Sequence, residues 1–154
     1  MRILERTGSE NHYLHKDFHG ALCYAIKYLD EIYGPAVTTE FLKQVGKEQY
    51  GWLSKEIKKQ GIMALVNHTK KIFDQEDGKL ECVQDGESLE INVLQCPAIT
   101  HLLATDQLFT NRFCETTVQV LAAICESSGY GCSCEYIAGE GSCVQRFWKE
   151  GEAN

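Results

Sequence analysis

Hydrophobic and polar positions repeat with two different periods along this chain. In the first half, apolar residues recur at spacings of three and four, as at Leu22, Ile26 and Leu29, which is the pattern of amphipathic helices. The Gly34-Pro35 step and Gly61 interrupt this pattern. The sequence therefore predicts helices at about residues 16–33, 38–44 and 48–73, with Gly61 breaking or bending the third and Trp52 turned toward the core.

The second half changes to short segments with strand-like patterns. Residues 79–83 and 88–94 flank Asp85-Gly86, which predicts a β-hairpin. Residues 99–109 are expected to form a loop or short helix, residues 111–127 a helix, and residues 132–138 and 142–148 two further strands joined by Gly139-Glu140-Gly141. This order predicts an α+β fold: an antiparallel sheet of four or more strands, covered by the N-terminal helical segment and one long helix.

Length and composition fit one domain. The chain has 154 residues, 44% of them hydrophobic and 24% charged, so residues 1–154 are expected to share one core, with tails at 1–15 and 150–154. No apolar run approaches the roughly 20 residues of a membrane span, and the N-terminus lacks the apolar stretch of a signal peptide. The sequence thus indicates a cytoplasmic protein, in which cysteines are thiols or metal ligands rather than disulfides.

Negative charge and cysteine are concentrated in the second half. Residues 1–77 hold 11 basic and 11 acidic groups, whereas residues 78–154 hold 4 basic and 11 acidic groups and carry the whole net charge of −7. An acidic surface binds phosphate backbones and anionic membranes poorly, so neither nucleic acid nor a membrane is an expected partner. A small-molecule substrate is expected instead, and an edge strand at residues 79–84 could pair two copies into a homodimer.

Cys114 has the strongest local argument for a reactive thiol. It stands at the predicted start of a helix, where the helix dipole stabilises a thiolate, and Arg112 adds a positive charge nearby. The alternative is that Cys114 is a small buried apolar residue.

Five cysteines could together hold a metal. Cys132 and Cys134 would face the same side of one strand, since side-chain direction has period two, and Cys143 could reach that side from the next strand. With Cys96 or Cys114, these thiolates would complete a zinc or iron site. The chain has no C-x-x-C knuckle, and packing of these cysteines in the core is the alternative.

His101 follows the Cys96-Pro97 step closely in sequence. A cysteine–histidine pair is a common arrangement for an activated thiolate. His101 is therefore a candidate general acid or base, whereas His12, His15 and His19 are interpreted as lying on a solvated face of the first helix.

Three motifs carry a family resemblance. They are Leu94-Gln95-Cys96-Pro97, Arg112-Phe113-Cys114-Glu115, and a Gly-rich turn followed by Cys143-Val144-Gln145-Arg146-Phe147. In order and spacing, residues 16–149 resemble the L-2-amino-thiazoline-4-carboxylic acid hydrolase family. The chain departs from it in having only Glu115 after the Phe-Cys step and in carrying Cys132-Ser133-Cys134.

The resemblance implies hydrolytic opening of a small sulfur- and nitrogen-containing ring. Water would add to the amidine-like carbon of a thiazoline carboxylate and give N-carbamoyl-cysteine. Cys114 would then be the nucleophile or a metal ligand, with Cys96 and Cys143 beside it and His101 as general acid or base. Arg112, with Glu115 nearby, would hold the substrate carboxylate.

Two other function classes stay open. Small α+β domains with clustered cysteines, such as the 4-vinyl-reductase-like domains, bind small molecules or metals without turnover. The third class is a structural or interaction protein whose cysteines are only buried.

Overall fold

The computed structural model describes residues 12–151, with side chains from Phe18 onward. Five helices and four strands follow one another in this part of the chain: α1 (His12–Tyr33), α2 (Pro35–Gln60), α3 (Met63–Gln75), β1 (Lys79–Asp85), β2 (Ser88–Gln95), α4 (Pro97–Ala104), α5 (Glu115–Ser128), β3 (Tyr130–Tyr136) and β4 (Cys143–Lys149). The expected α+β fold is confirmed. Of the two expected tails, residues 1–11 and 152–154 lie outside the described residues, while residues 12–15 belong to α1.

The second predicted helix is wrong in extent, because α2 runs without a break from Pro35 to Gln60. The predicted gap between residues 44 and 48 includes Gly46, which lies inside the helix and serves packing. A β-carbon at Gly46 would lie 2.9 Å from the Ala123 side chain and 3.0 Å from the Val120 backbone. The glycine therefore lets α2 and α5 approach closely. The chain breaks at Gly61 instead, where a φ of 76° favours a residue without a side chain.

The four strands form one antiparallel sheet in the order β1-β2-β4-β3. Antiparallel partners share a face, so the register Cys82↔Ile91↔Gln145↔Cys134 marks one row of side chains on a single side. This is the side that packs on the helices, since Ile91 is fully buried. The predicted hairpin at Asp85-Gly86 is confirmed, and β1, as predicted, is an edge strand.

The main core lies between this face and helices α2, α3 and α5. It is built from Leu53, Ile57, Leu65, Ile91 and Phe147, each no more than 2% exposed. Trp52 is not part of it: its side chain is 50% exposed, so its predicted place in the core is wrong. The residue lies beside His68, with ring centroids 5.1 Å apart. Because Leu53 occupies the core side of α2, its neighbour along the helix points outward.

A second, smaller core cluster joins α1 to α4 and the segment before α5. Cys23, Ile99, Leu102 and Phe113 are its buried members. Cys96 and Cys114 pack at its margin. The thiols predicted to carry chemistry therefore lie where the two core clusters meet.

Candidate functional site

The turn between β3 and β4 brings the three sequence motifs together. The Cys96 amide donates a hydrogen bond of 2.6 Å to the Gly141 carbonyl, and the Gly139 backbone interacts with the Cys114 thiol. Gly141 is buried with a φ of 72°, a backbone conformation that residues with a side chain rarely adopt, and it lies in contact distance of Ile99. The fold therefore places the Cys-Pro step, the Phe-Cys step and the Gly-rich turn in one region.

A cavity of about 230 Å³, called the central cavity below, lies beside this region between the helices and the sheet. Its walls are mainly apolar and come from Leu53, Leu65, Ile72, Phe73, Val93, Pro97, Val120, Leu121 and Ile124. Its volume lies just under the roughly 300 Å³ at which typical small-molecule pockets begin. Two larger hollows, of 450 and 400 Å³, lie along the strands and are lined mainly by strand residues. The central cavity differs from these two in lying between helices and the sheet rather than along the strands.

Polar groups interrupt the apolar walls of the central cavity. They come from His19, Tyr50, His68, Thr69, Glu76, Cys96, Thr116, Thr117, Cys143 and Gln145. The His68 Nε2 and the Thr116 Oγ1 are buried, and neither has a hydrogen-bond partner in the protein. A buried polar atom without a partner is costly, so these two atoms are suited to meet a polar group of a ligand or a water molecule.

Cys143 is the thiol of the cavity wall whose surroundings favour a thiolate. Its sulfur accepts a hydrogen bond from the Cys134 thiol and one of 3.4 Å from the Gln145 Nε2. Hydrogen bonds to the charged form lower a pKa, and here they outweigh burial, so the pKa of Cys143 lies below its ordinary value. The same contact raises the pKa of Cys134, which holds the shared proton.

Cys96 and Cys114 have the opposite character. Burial raises the pKa of Cys96, and the backbone amides of Ala98 and Ile99 offset this only in part. Burial, together with the nearby thiols of Cys96 and Cys143, raises the pKa of Cys114 to about 11. The prediction of a low pKa at Cys114 is therefore wrong, because desolvation exceeds the effect of the helix N-terminus. Its assignment as nucleophile stays a prediction.

Cys132 and Cys134 do face the same side of β3, as predicted. Cys132 pairs in register with Phe147, which is buried against the helices. The two thiols nevertheless have different partners, because Cys132 accepts a hydrogen bond from Cys125 of α5 whereas Cys134 donates to Cys143. The fold thus separates the predicted metal-binding cysteines into two thiol pairs.

Within residues 12–151, no group of three or more His, Cys, Asp or Glu side chains is arranged to hold a metal ion. The zinc or iron site over Cys96, Cys114, Cys132, Cys134 and Cys143 therefore gains no support and stays a prediction. Cys96, Cys114, Cys134 and Cys143 still lie close enough to influence one another's titration. The thiols of these four cysteines are therefore close neighbours in the fold.

Arg112 and Glu115 lie in a separate polar cluster, named here the Arg112 junction, which also contains Asp30 and Thr39. The Arg112 guanidinium forms ion pairs with Asp30 and Glu115, and its Nε donates to the Glu115 carboxylate at 2.7 Å. The Thr39 hydroxyl donates to Glu115 at 2.6 Å. These contacts join α1, α2 and the start of α5, and neither Arg112 nor Glu115 lines the central cavity.

His101 also lies away from the central cavity. Its Nε2 is 3.4 Å from the Gln107 Nε2, and it is absent from the lining. The histidines that do line the cavity are His19 and His68. The interpretation of His19 as lying on a solvated face is wrong, since its side chain is only 14% exposed, and His68 was not singled out. His19 shares its helix face with Cys23 and Ile26, at spacings of four and three, so the periodicity could have placed it inward. The side chains of His12 and His15 lie outside the described residues.

Glu76 and Gln145 are buried polar residues of the lining that were also missed. Gln145 alternates with Cys143 and Phe147 along β4, which is a signal for a shared face. Glu76 follows α3 directly, only 8% exposed, with a carboxylate oxygen 3.9 Å from the His19 Nε2. Nothing in its local sequence indicates burial, because the contact joins two distant helices.

No helix within residues 12–151 combines the length and apolar character needed to cross a membrane. In comparisons with known proteins, no family model, no curated protein and no solved structure matches this chain. Evidence about function therefore comes from the cavity and its side chains.

Proposed function

We propose that this protein binds a small, mainly apolar molecule without negative charge in the central cavity. The observation that carries the proposal is the cavity itself: apolar walls that enclose about 230 Å³ together with two buried polar atoms, His68 Nε2 and Thr116 Oγ1, that have no protein partner. Apolar walls supply affinity, and a few fixed polar groups supply orientation. This corresponds to the non-catalytic, small-molecule-binding class that the sequence left open as an alternative to the hydrolase.

The charges around the cavity favour such a ligand over a carboxylate. No lysine or arginine occurs in its described lining. Burial raises the pKa of Tyr50 and of Cys96, and the nearby negative charge of Glu76 adds to the rise in both. Burial and the nearby Lys71 lower the pKa of His68, so that its ring is kept neutral. A bound carboxylate would thus lose its hydration and meet a like charge, which is unfavourable in a poorly solvated site.

Hydrolysis of a thiazoline-like ring is the second candidate, and the position of Cys143 favours it. This thiol lines the cavity and accepts two hydrogen bonds. In this scheme the Cys143 thiolate adds to the amidine carbon, the ring carbon–sulfur bond breaks, and the released sulfur takes a proton. Water then adds to the same carbon and expels the Cys143 thiolate, which leaves a urea product. Cys96 would lie beside the nucleophile.

A matched pair of ligands separates the two candidates. 2-Amino-thiazoline-4-carboxylate and its 4-carboxamide have nearly the same shape and differ in the negative charge. We expect the carboxamide to bind at least about tenfold more tightly, as measured by calorimetry, because the carboxylate must be desolvated beside Glu76. Mass spectrometry of the same mixtures reports ring opening.

A variant that fills the cavity shows where the ligand binds. Val120→Phe places a ring in the cavity wall, whereas Val83→Phe makes the same change on the exposed part of β1. We expect the first variant to lose binding by about tenfold or more and the second to keep it. Equal binding by both variants would contradict the proposed site. Ring opening by the natural protein, abolished in Cys143→Ser, would replace the binding proposal with the hydrolase.

A further inference from the structure

Two pairs of thiols contact each other on the helix-facing side of the sheet. In one pair, Cys134 donates a hydrogen bond to Cys143 across β3 and β4; in the other, Cys125 of α5 donates to Cys132. Neither pair is joined by a disulfide. A pair of thiols in contact, one of which is stabilised as a thiolate, is the arrangement required for oxidation to a disulfide.

The two pairs differ in access and in hydrogen bonding. Cys143 lines the central cavity and is only partly buried, and Gln145 adds a second donor to its sulfur. Cys132 is partly buried like Cys143, but its partner Cys125 is 3% exposed, and neither of them lines the central cavity. The first pair therefore differs from the second in having its acceptor thiol in the cavity wall, where a small oxidant can enter.

The backbone around Cys143 can accommodate a bond to Cys134. In register, Cys134 lies opposite Gln145 and Cys143 lies opposite Tyr136, so the two cysteines are diagonal neighbours. Diagonal positions are wider apart than a relaxed disulfide requires, and some backbone shift is needed. Cys143 is the first residue of β4, in register with Val93 on one side and Tyr136 on the other, and it follows the turn with Gly139 and Gly141, so the required shift falls at the end of the strand.

We propose that Cys143 and Cys134 form a thiol pair that hydrogen peroxide oxidises to a disulfide, with Cys143 as the attacking thiol and Cys134 as the resolving thiol. This inference goes beyond ligand binding and does not depend on it. It assigns a modification site to the wall of the central cavity.

The reaction takes place in two balanced steps. The Cys143 thiolate attacks one peroxide oxygen: a sulfur–oxygen bond forms, the oxygen–oxygen bond breaks, and the departing hydroxide takes a proton to become water. Cys134 then attacks the sulfenic sulfur of Cys143: the sulfur–sulfur bond forms, the sulfur–oxygen bond breaks, and the departing hydroxide takes the Cys134 proton. The peroxide gains two electrons, one from each sulfur atom.

The groups that face the pair set its pH dependence. Cys96 and Cys114 lie close to Cys143, and each would oppose a thiolate there if it were itself ionised. Both have raised pKa values and stay protonated at neutral pH. Gln145 is the uncharged donor on the remaining side. Cys132, on the same strand as Cys134, lies close to it, and its negative charge helps to raise the pKa of Cys134. At neutral pH, therefore, Cys134 keeps its proton, and neither Cys96 nor Cys114 carries a charge that would oppose the thiolate at Cys143.

The test uses the full chain treated with one equivalent of hydrogen peroxide, blocked with an alkylating reagent and mapped by mass spectrometry. We expect a loss of two hydrogen atoms from the protein and a single disulfide between Cys134 and Cys143. Cys143→Ser should lower the oxidation rate by about tenfold or more. Cys82→Ser is the matched control, since Cys82 faces the same side of the sheet with a pKa raised by burial, and it should oxidise like the natural protein.

Cys134→Ser tests the resolving step separately. It keeps the attacking thiol, so we expect a sulfenic acid at Cys143 that dimedone traps, followed by the sulfinic acid, and no disulfide. This variant and the mapping of the natural protein keep the test valid even if Cys143→Ser fails to fold. A disulfide mapped to Cys125 and Cys132, equal oxidation of all eight thiols, or no oxidation at all would overturn the proposal.

Discussion

The Arg112 junction and the central cavity are both polar clusters inside the fold, but their polar groups are used in opposite ways. In the junction, Arg112, Asp30, Thr39 and Glu115 satisfy one another, and each is partly buried between helices. In the cavity, Thr116 Oγ1 has no protein partner and space remains beside it. The charged Arg112 motif, which was predicted from the sequence to hold a substrate, thus links helices, whereas mainly apolar residues form the pocket.

Removing the cation of the junction should give the largest effect. Arg112→Ala leaves Asp30 and Glu115 close together without a counter-ion, and we expect the free energy of unfolding to fall by about 2–4 kcal/mol. Urea denaturation measures this change. Arg146→Ala is the control, since Arg146 also pairs with two carboxylates but lies on the exposed face, and its loss should have a much smaller effect. Equal losses would show that the junction is no more than a surface ion pair.

Thiol reactivity should distinguish the cavity cysteine from the cysteine at the start of α5. Cys143 has a lowered pKa and Cys114 one raised to about 11, so at neutral pH we expect Cys143 to react with a small alkylating reagent at least about tenfold faster. Quantitative peptide mapping after short exposures gives both rates. The denatured protein is the control, in which the two rates should converge. Faster reaction at Cys114 would restore it as the leading nucleophile.

Replacing threonine by valine should have different effects on the free energy of unfolding in the two clusters. Thr39→Val removes a hydroxyl bonded to Glu115 and Arg112, and we expect a loss of about 1–2 kcal/mol. Thr116→Val removes a buried hydroxyl without a partner, and we expect no loss or a gain of up to about 1 kcal/mol. Thermal and urea denaturation of the two variants can be compared directly. A large loss at Thr116 would mean that its hydroxyl is satisfied by internal water.

Acid should weaken the cavity region through His68, with the smallest of these effects. Its pKa is lowered in the folded protein, so the unfolded chain takes up the proton first as the pH falls. The contribution of His68 to stability is therefore complete above its unfolded pKa of about 6.5 and is lost as the pH falls below that value. Denaturation between pH 7.5 and about pH 5 should show this decline, and His68→Gln should reduce it. An unchanged slope in the variant would exclude His68 as its source.

Local patterns predicted the elements better than they predicted the site. The two hairpin strands and the first helix follow from periodicity and from turn residues that act over a few positions. The continuity of α2 did not follow from such patterns. Gly46 allows a close contact between α2 and α5, and that contact exists only in the packed helices. Cys143 and Cys96 were identified as site residues, and both line the cavity. Arg112 and Glu115 were assigned to a substrate because sequence shows a charge but not its partner.

The sequence by itself determined the α+β class, the placement of Cys132, Cys134 and Cys143 on one side of the sheet and the three motifs that converge. These features depend on the spacing of residues along the chain, because helix, strand and turn preferences act over a few neighbouring positions. The tertiary structure decided which thiols pair, which polar atoms stay unpaired and where a cavity remains. It also reversed the expected pKa of Cys114, because burial and neighbouring thiols from distant segments outweigh the local helix dipole.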